Sequence, residues 1–220
     1  MNSTTEKLQL QGAAGVIEAL RDVADTASLA ANSQRAPRGV AVIAHPHPLF
    51  GGTMDNKVVQ TMARAFVQAG FTAVRFNFRG VGASAGAYDE GRSETQDMLA
   101  VIAQTCPAGT PLCIAGFSFG AFVASHAISA VSTAEHAQAA IEKIVLVGTA
   151  ASRFAVAPIP ADLHERTLVI HGEADDTVPL ASVMDWARPQ LLPVTVVPAG
   201  GHFFHGQLPL LKSLVLRHLC

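Results

Sequence analysis

A serine between glycines, a run of acids and a histidine behind two glycines are the residues here whose types and spacing can do covalent chemistry. Gly116-Phe117-Ser118-Phe119-Gly120 follows an apolar run from Leu112 to Gly116 and opens a segment of helical pattern. A sharp strand-to-helix turn, with glycines where side chains would collide, holds a serine hydroxyl out above a sheet. The helix N-terminus adds a partial positive field where an oxyanion would form. The bland reading is a glycine-rich turn with an incidental serine, and the apolar run just before it favours the nucleophile. An unaided serine attacks poorly, so it needs a base, and the base needs an orienting group. His171-Gly172-Glu173-Ala174-Asp175-Asp176-Thr177-Val178-Pro179 offers acids after one apolar run, and Ala199-Gly200-Gly201-His202-Phe203-Phe204-His205-Gly206 offers a base after the next. Glu173, Asp175 and Asp176 all compete for the acid, and either aspartate could instead cap the helix that follows. His202 is preferred over His205 because it directly follows the Gly200-Gly201 pair.

An acyl-transfer site also needs two donors for the oxyanion. The amide of Phe119, after the nucleophile, is one candidate. The other is expected from Ala44-His45-Pro46-His47-Pro48-Leu49-Phe50-Gly51-Gly52. Pro46 and Pro48 have no N–H to give, which leaves the amides of His47, Leu49 and Phe50 to Gly52, with His47 favoured. His45 and His47 also form a His-x-His pair, but no third ligand is in view and no metal is expected. Leu49, Phe50, Phe119, Phe203 and Phe204 lie close to these positions in sequence and suggest an apolar substrate pocket. Gly80-Val81-Gly82-Ala83-Ser84-Ala85 fits a relaxed dinucleotide pattern, yet Asp89 and Glu90 follow where an apolar helix should begin, and would repel a pyrophosphate. No cofactor is expected.

The elements that must position these residues alternate. Strands are expected at Gly39 to Ala44, Thr72 to Phe78, Leu112 to Gly116, Ile144 to Gly148, Thr167 to His171 and Val194 to Val197. Their near-continuous apolar character means burial on both faces, as in parallel sheets. Helices are expected from Asn56 to Gly70, Arg92 to Thr105, Phe119 to Ala130, Leu180 to Leu191 and Gln207 to Leu219. Val58, Met62 and Phe66 share one face of the first. This order predicts an α/β fold with a mostly parallel sheet. The acids and His202 then fall at strand carboxyl ends, on the same sheet edge as Ser118. Leu8 to Gln11 and Gly15 to Val23 read as an antiparallel hairpin, although Gly12 to Ala31 could be a helix. Thr26 to Arg38 reads as an exposed loop.

Together, the serine, acid and histidine segments, His45-Pro46-His47-Pro48 with Gly51-Gly52, and Asn77-Phe78-Arg79-Gly80-Val81-Gly82-Ala83-Ser84 resemble the small bacterial α/β-hydrolases of the dienelactone-hydrolase-like group. The resemblance runs from about Gly39 to the C-terminus. It implies an eight-stranded, mostly parallel sheet flanked by helices, an N-terminal β-hairpin at one sheet edge, and an internal ion pair for Arg79. The family pattern before Val178-Pro179 favours Asp175, so the implied catalytic set is Ser118, Asp175 and His202. Dienelactone hydrolases proper use cysteine and haloalkane dehalogenases use aspartate where this chain has Ser118. Only about 18 residues separate Gly148 from Thr167, too few for a helical lid domain.

The 220 residues carry 15 Lys and Arg against 17 Asp and Glu, and half are apolar. That composition excludes a disordered chain and gives nucleic acid no basic surface to bind. Cys106, Cys113 and Cys220 lack both zinc and disulfide spacing. Together with a polar N-terminus and no long apolar run, they suggest a cytoplasmic protein with reduced thiols, away from membranes. One domain spans residues 1–220 in this reading, with 1–38 a hairpin plus loop insertion. The expected activity is hydrolysis of small or short-chain carboxylic esters through an acyl-enzyme. A thioesterase or peptidase using the same residues is the second reading, and an inactive binding module the third.

Overall fold

The computed structural model describes residues 3–24, 37–133 and 140–220. One sheet of eight strands forms its centre, in the order β1-β2-β4-β3-β5-β6-β7-β8. The first two strands, β1 (Ser3–Gly12) and β2 (Gly15–Ala24), make an antiparallel hairpin closed by the Gly12–Gly15 pair. β2 then pairs antiparallel with β4 (Thr72–Phe76). The strands β3 (Val40–Ala44), β5 (Leu112–Phe117), β6 (Ile141–Val147), β7 (Thr167–Gly172) and β8 (Val194–Val197) continue the sheet in parallel.

The sequence alternatives resolve here. Gly15–Ala24 is strand, not helix. Its pairing on both sides sets the register, burying Ile17, Ala19 and Asp22 toward the protein. Asp22 is tolerated there because Arg75 on β4 donates to it from Nε at 2.7 Å and from Nη2 at 3.2 Å. Most of the expected loop from Thr26 to Arg38 lies outside the described residues. β6 starts at Ile141, earlier than its apolar run suggests, because Glu142 and Lys143 interrupt the pattern. The expected helix from Leu180 to Leu191 stops being α-helical at Ala187, just before Pro189, and finishes as a 3-10 turn.

Helices cover both faces of the sheet, which is why β3 and β5 are buried throughout. α1 (Lys57–Gln68) and α5 (Leu208–Leu219) pack on one face through Val58, Met62, Phe66, Leu211 and Val215. α2 (Arg92–Thr105), α3 (Phe119–Thr133) and α4 (Leu180–Ala187) pack on the other through Met98, Val101, Val123, Ile128 and Val183. The Asn56 side chain caps α1 by accepting from the Val58 amide at 2.9 Å. Arg79 pairs with Asp97 of α2, donating from Nε at 2.8 Å and Nη2 at 2.7 Å. The internal ion pair implied for Arg79 is present, and it ties the loop after β4 to the sheet's flank. Between β6 and β7 the chain makes a tight turn and a 3-10 helix, Ala161–Arg166, with no helical cover.

Candidate active site

Ser118 sits between the last residue of β5 and the first of α3, with φ +57. That left-handed conformation is strained for a residue with a Cβ, and such strain gathers at functional turns. The two flanking glycines make the turn possible. A Cβ on Gly116 would lie 2.2 Å from the Gly120 carbonyl oxygen. A Cβ on Gly120 would lie 2.4 Å from the Ala44 oxygen and 2.5 Å from that of His45. The glycines therefore let the start of α3 press against the end of β3, bringing the loop after β3 beside Ser118.

Two further backbone contacts bring up the partners. Gly172, ending β7, approaches Gly200 so closely that a Cβ would fall 2.2 Å from the Gly200 oxygen. The loops after β7 and β8 are thereby held together, one carrying Asp175 and the other His202. The His202 ring rests near Gly148 and Phe117, with ring centroids 4.9 Å apart in the Phe117 pair. His202 Nδ1 is 2.7 Å from Asp175 Oδ2, and its Nε2 is 3.0 Å from Ser118 Oγ. With a carboxylate at Nδ1, the hydrogen-bond network assigns the proton to Nδ1 and leaves Nε2 to accept from the serine. All three side chains are buried.

Asp175 Oδ1 also accepts from the amides of Thr177 at 3.0 Å and Val178 at 2.7 Å. Burial pushes this carboxyl up. The hydrogen bonds from His202 and the Val178 amide, with the nearby imidazoles, outweigh that and hold it below the usual aspartate value. The competing acids are placed elsewhere. Asp176 is exposed, and Glu173 accepts from the Ala199 amide at 2.9 Å. His205 is exposed too, so among these candidates Ser118 reaches His202 and His202 reaches Asp175.

The loop after β3 narrows the choice of oxyanion donor. Leu49 N–H donates to His47 Nδ1, and the Phe50 and Gly52 amides donate to the His47 carbonyl. The His47 and Gly51 amides remain, and His47 is the one beside the crossing of β3 and α3. Among the described residues neither the His47 nor the Phe119 amide donates to a protein acceptor. His45 faces inward, with Nδ1 2.6 Å from the Pro46 oxygen and Nε2 accepting from the Phe78 amide at 3.0 Å. Both of its nitrogens are occupied, so His45 acts as a latch between the ends of β3 and β4, while His47 Nε2 lies 3.2 Å from the Tyr88 hydroxyl. Burial lowers the His45 pKa to about 4, which keeps the latch neutral.

A cavity of about 250 Å³ opens over Ser118 and His202, walled by Pro46, His47, Phe50, Gly51, Gly52 and Phe203, with Asn56, Arg153 and Thr177 at its edges. Phe50 and Phe203 line it. Leu49 does not: it is 68% exposed and points to solvent beside the opening. Phe204 does not either. It is fully buried, in the core under α5, because its φ of +51 turns it away from its neighbour Phe203. The Phe119 side chain is also buried, its ring tilted against that of His47 with centroids 4.9 Å apart, and it does not line the cavity. Sequence reasoning passed over Arg153, which lies outside any motif, and over Asn56 and Thr177, read only as a helix start and as part of the acid-bearing run. It also passed over the role of His171, whose buried Nε2 donates to the Val178 oxygen at 2.8 Å beneath Asp175, while its Nδ1 has no partner among the described residues.

Residues 37–208 match the family model described as the alpha/beta hydrolase domain. A crystal structure from Xanthomonas campestris, described as an α/β serine hydrolase without lid, is 32% identical with a TM-score of 0.83, over 100% of this chain and 95% of that one. A serine hydrolase homologue from Coxiella burnetii is also 32% identical, with a TM-score of 0.79 over 98% and 97% of the two chains. An uncharacterized protein of Rickettsia prowazekii is 44% identical over 97 residues. That match spans 43% of this chain and only 40% of the length of that curated relative. Among the described residues no helix is long and apolar enough to cross a membrane.

Proposed function

The chain belongs to the α/β-hydrolase domain family, and from that premise we propose that it cleaves small carboxylic esters through an acyl-enzyme. The observation that carries the reading is the continuous hydrogen-bonded line from Ser118 through His202 to Asp175. Ser118 attacks the ester carbonyl while His202 Nε2 takes its proton. The tetrahedral oxyanion is held by the amides of Phe119 and His47. His202 then returns the proton to the leaving alcohol, and a water repeats the sequence on the acyl-enzyme to release the acid. Asp175 keeps the imidazole in the Nδ1–H tautomer and stabilises the imidazolium. None of these steps calls on a cofactor or metal. The free Cys106, Cys113 and Cys220 support a reducing, cytoplasmic setting.

An ester is favoured over the thioester of a large carrier because a small open cavity with one cation at its edge offers no extended basic track for a phosphorylated carrier arm. The test is steady-state hydrolysis of 4-nitrophenyl butyrate by the wild type and by Ser118→Ala. The variant should fold normally and lose about 10⁴-fold or more in kcat. Retention of more than about a tenth of the wild-type rate would remove Ser118 from the mechanism.

A further inference from the structure

Arg153 stands on the turn after β6, where the cavity over Ser118 meets a second groove of about 440 Å³. That outer groove is walled by Tyr88, Phe122, His126 and Phe154, with Glu90 at its rim. Arg153 is common to both walls and carries the one formal charge in the lining of the inner cavity. Among the described residues its guanidinium makes no hydrogen bond and no ion pair, whereas Glu90 is matched by Arg92 at 3.2 Å. Its charge already reaches the site, where together with burial it lowers the His47 pKa.

The turn that carries Arg153 is fastened on several sides. Phe154 stacks on Phe122 at 4.8 Å and meets Phe119 edge-on at 5.2 Å. Beyond it the Ala155 oxygen meets His126 Nε2 at 2.9 Å, the Ala157 amide donates to Ser125 Oγ at 3.0 Å, and Trp186 donates to the Ala157 oxygen. The backbone that carries Arg153 is thus held by packing and hydrogen bonds on its C-terminal side. A cation presented by a fixed turn at the edge of an apolar site, with no internal counter-charge, matches an anionic group on the bound molecule. Guanidinium offers a planar pair of N–H donors to a carboxylate, and such charge-assisted pairs are stronger than neutral ones.

We propose that Arg153 binds a carboxylate on the substrate, so that the preferred substrates are esters carrying a free carboxylate at the far end of the group that enters the cavity. The inference rests on the ester-hydrolase reading above and names its substrate class. Cleavage itself is unchanged: the ester carbonyl lies over Ser118 and the distal carboxylate meets the guanidinium.

The test uses matched pairs, mono-4-nitrophenyl esters of succinate, glutarate, adipate and suberate against the same compounds with the distal acid methylated. Wild-type kcat/KM should favour the free acid at one or two chain lengths by about tenfold or more. In Arg153→Met that ratio should fall to near one, and in Arg153→Lys an intermediate preference should survive. High salt should shrink the wild-type preference, because the pair is reached by solvent. Equal wild-type rates on free and methylated compounds at every length would overturn this inference and leave the esterase reading standing. The same holds if Arg153→Met keeps the full preference. If neither member of any pair is turned over, the esterase reading fails and takes this inference with it.

Discussion

Asp175 is buried and accepts hydrogen bonds from His202 and from two amides, whereas Asp176, one residue on, is exposed and among the described residues meets only the Thr177 hydroxyl at 3.4 Å. The difference makes a direct prediction. Asp175→Asn keeps the shape but lets an amide donor face His202 Nδ1, favouring the wrong tautomer, and should lower kcat by about 10³–10⁴-fold. Asp176→Asn should leave kcat near the wild-type value. Equal losses would mean that the acid has been assigned to the wrong residue. The sequence offered Glu173, Asp175 and Asp176 on equal terms by spacing, and the family pattern separated them. What it could not offer was the direction in which each side chain points. Phe203 and Phe204 are chemically identical neighbours, and a single positive φ sends one to the cavity and the other to the core. Arg153 was invisible for a related reason, since its place at the cavity edge follows from how the turn after β6 is pinned.

Strands and loops set the distances that the side chains use. The two loops bearing Asp175 and His202 are registered by the contact of Gly172 with the Gly200 backbone. Gly172→Ala would drive a Cβ to 2.2 Å from a carbonyl oxygen, a clash that only backbone movement relieves. A shift of about 1 Å in such a site costs about 100-fold in rate, so this variant should lose at least that much kcat/KM at a temperature where it stays folded. Full activity in a folded Gly172→Ala would show that the loops are not registered in this way. The order of these elements was readable because parallel strands buried on both faces leave unbroken apolar runs. β6 was misjudged at its start because Glu142 and Lys143 hide its first turn of pairing. The hairpin was ambiguous because its residues suit helix or strand, and its pairing with β4, some 50 residues away, decides the matter.

The whole molecule adds two consequences. Buried imidazoles that fold in the neutral form make it sensitive to acid. His45, lowered to about 4 mainly by burial, is the clearest, and burial lowers His171 in the same direction. Below the ordinary histidine pKa of 6.5 the unfolded chain takes up protons that the folded chain refuses. Stability is therefore present above that value and lost as pH falls toward about 4. His45 alone costs about 2 kcal/mol of stability at pH 5 relative to neutral pH by this linkage. Urea midpoints should drop between about pH 7 and pH 5, and a flat profile would contradict neutral burial. The second consequence concerns substrate length. The short connection from β6 to β7 supplies no cover, and the cavity of about 250 Å³ ends at exposed Phe50 and Phe203. Each methylene that fits should add about 0.8 kcal/mol of binding until the wall is met. For 4-nitrophenyl esters of unbranched acids, kcat/KM should rise or level off from acetate to butyrate or hexanoate and then fall. A steady rise to palmitate would require a longer channel than this one.

The central claim is that Ser118 is a nucleophile activated by His202, and covalent labelling tests it most directly. The protein is treated with a fluorophosphonate, and its intact mass and peptide map are recorded beside those of Ser118→Ala and His202→Ala. The account predicts one adduct per chain on the peptide carrying Ser118, none in Ser118→Ala, and strongly slowed labelling in His202→Ala. An unlabelled wild type, or an adduct that persists when Ser118 is replaced, would contradict it.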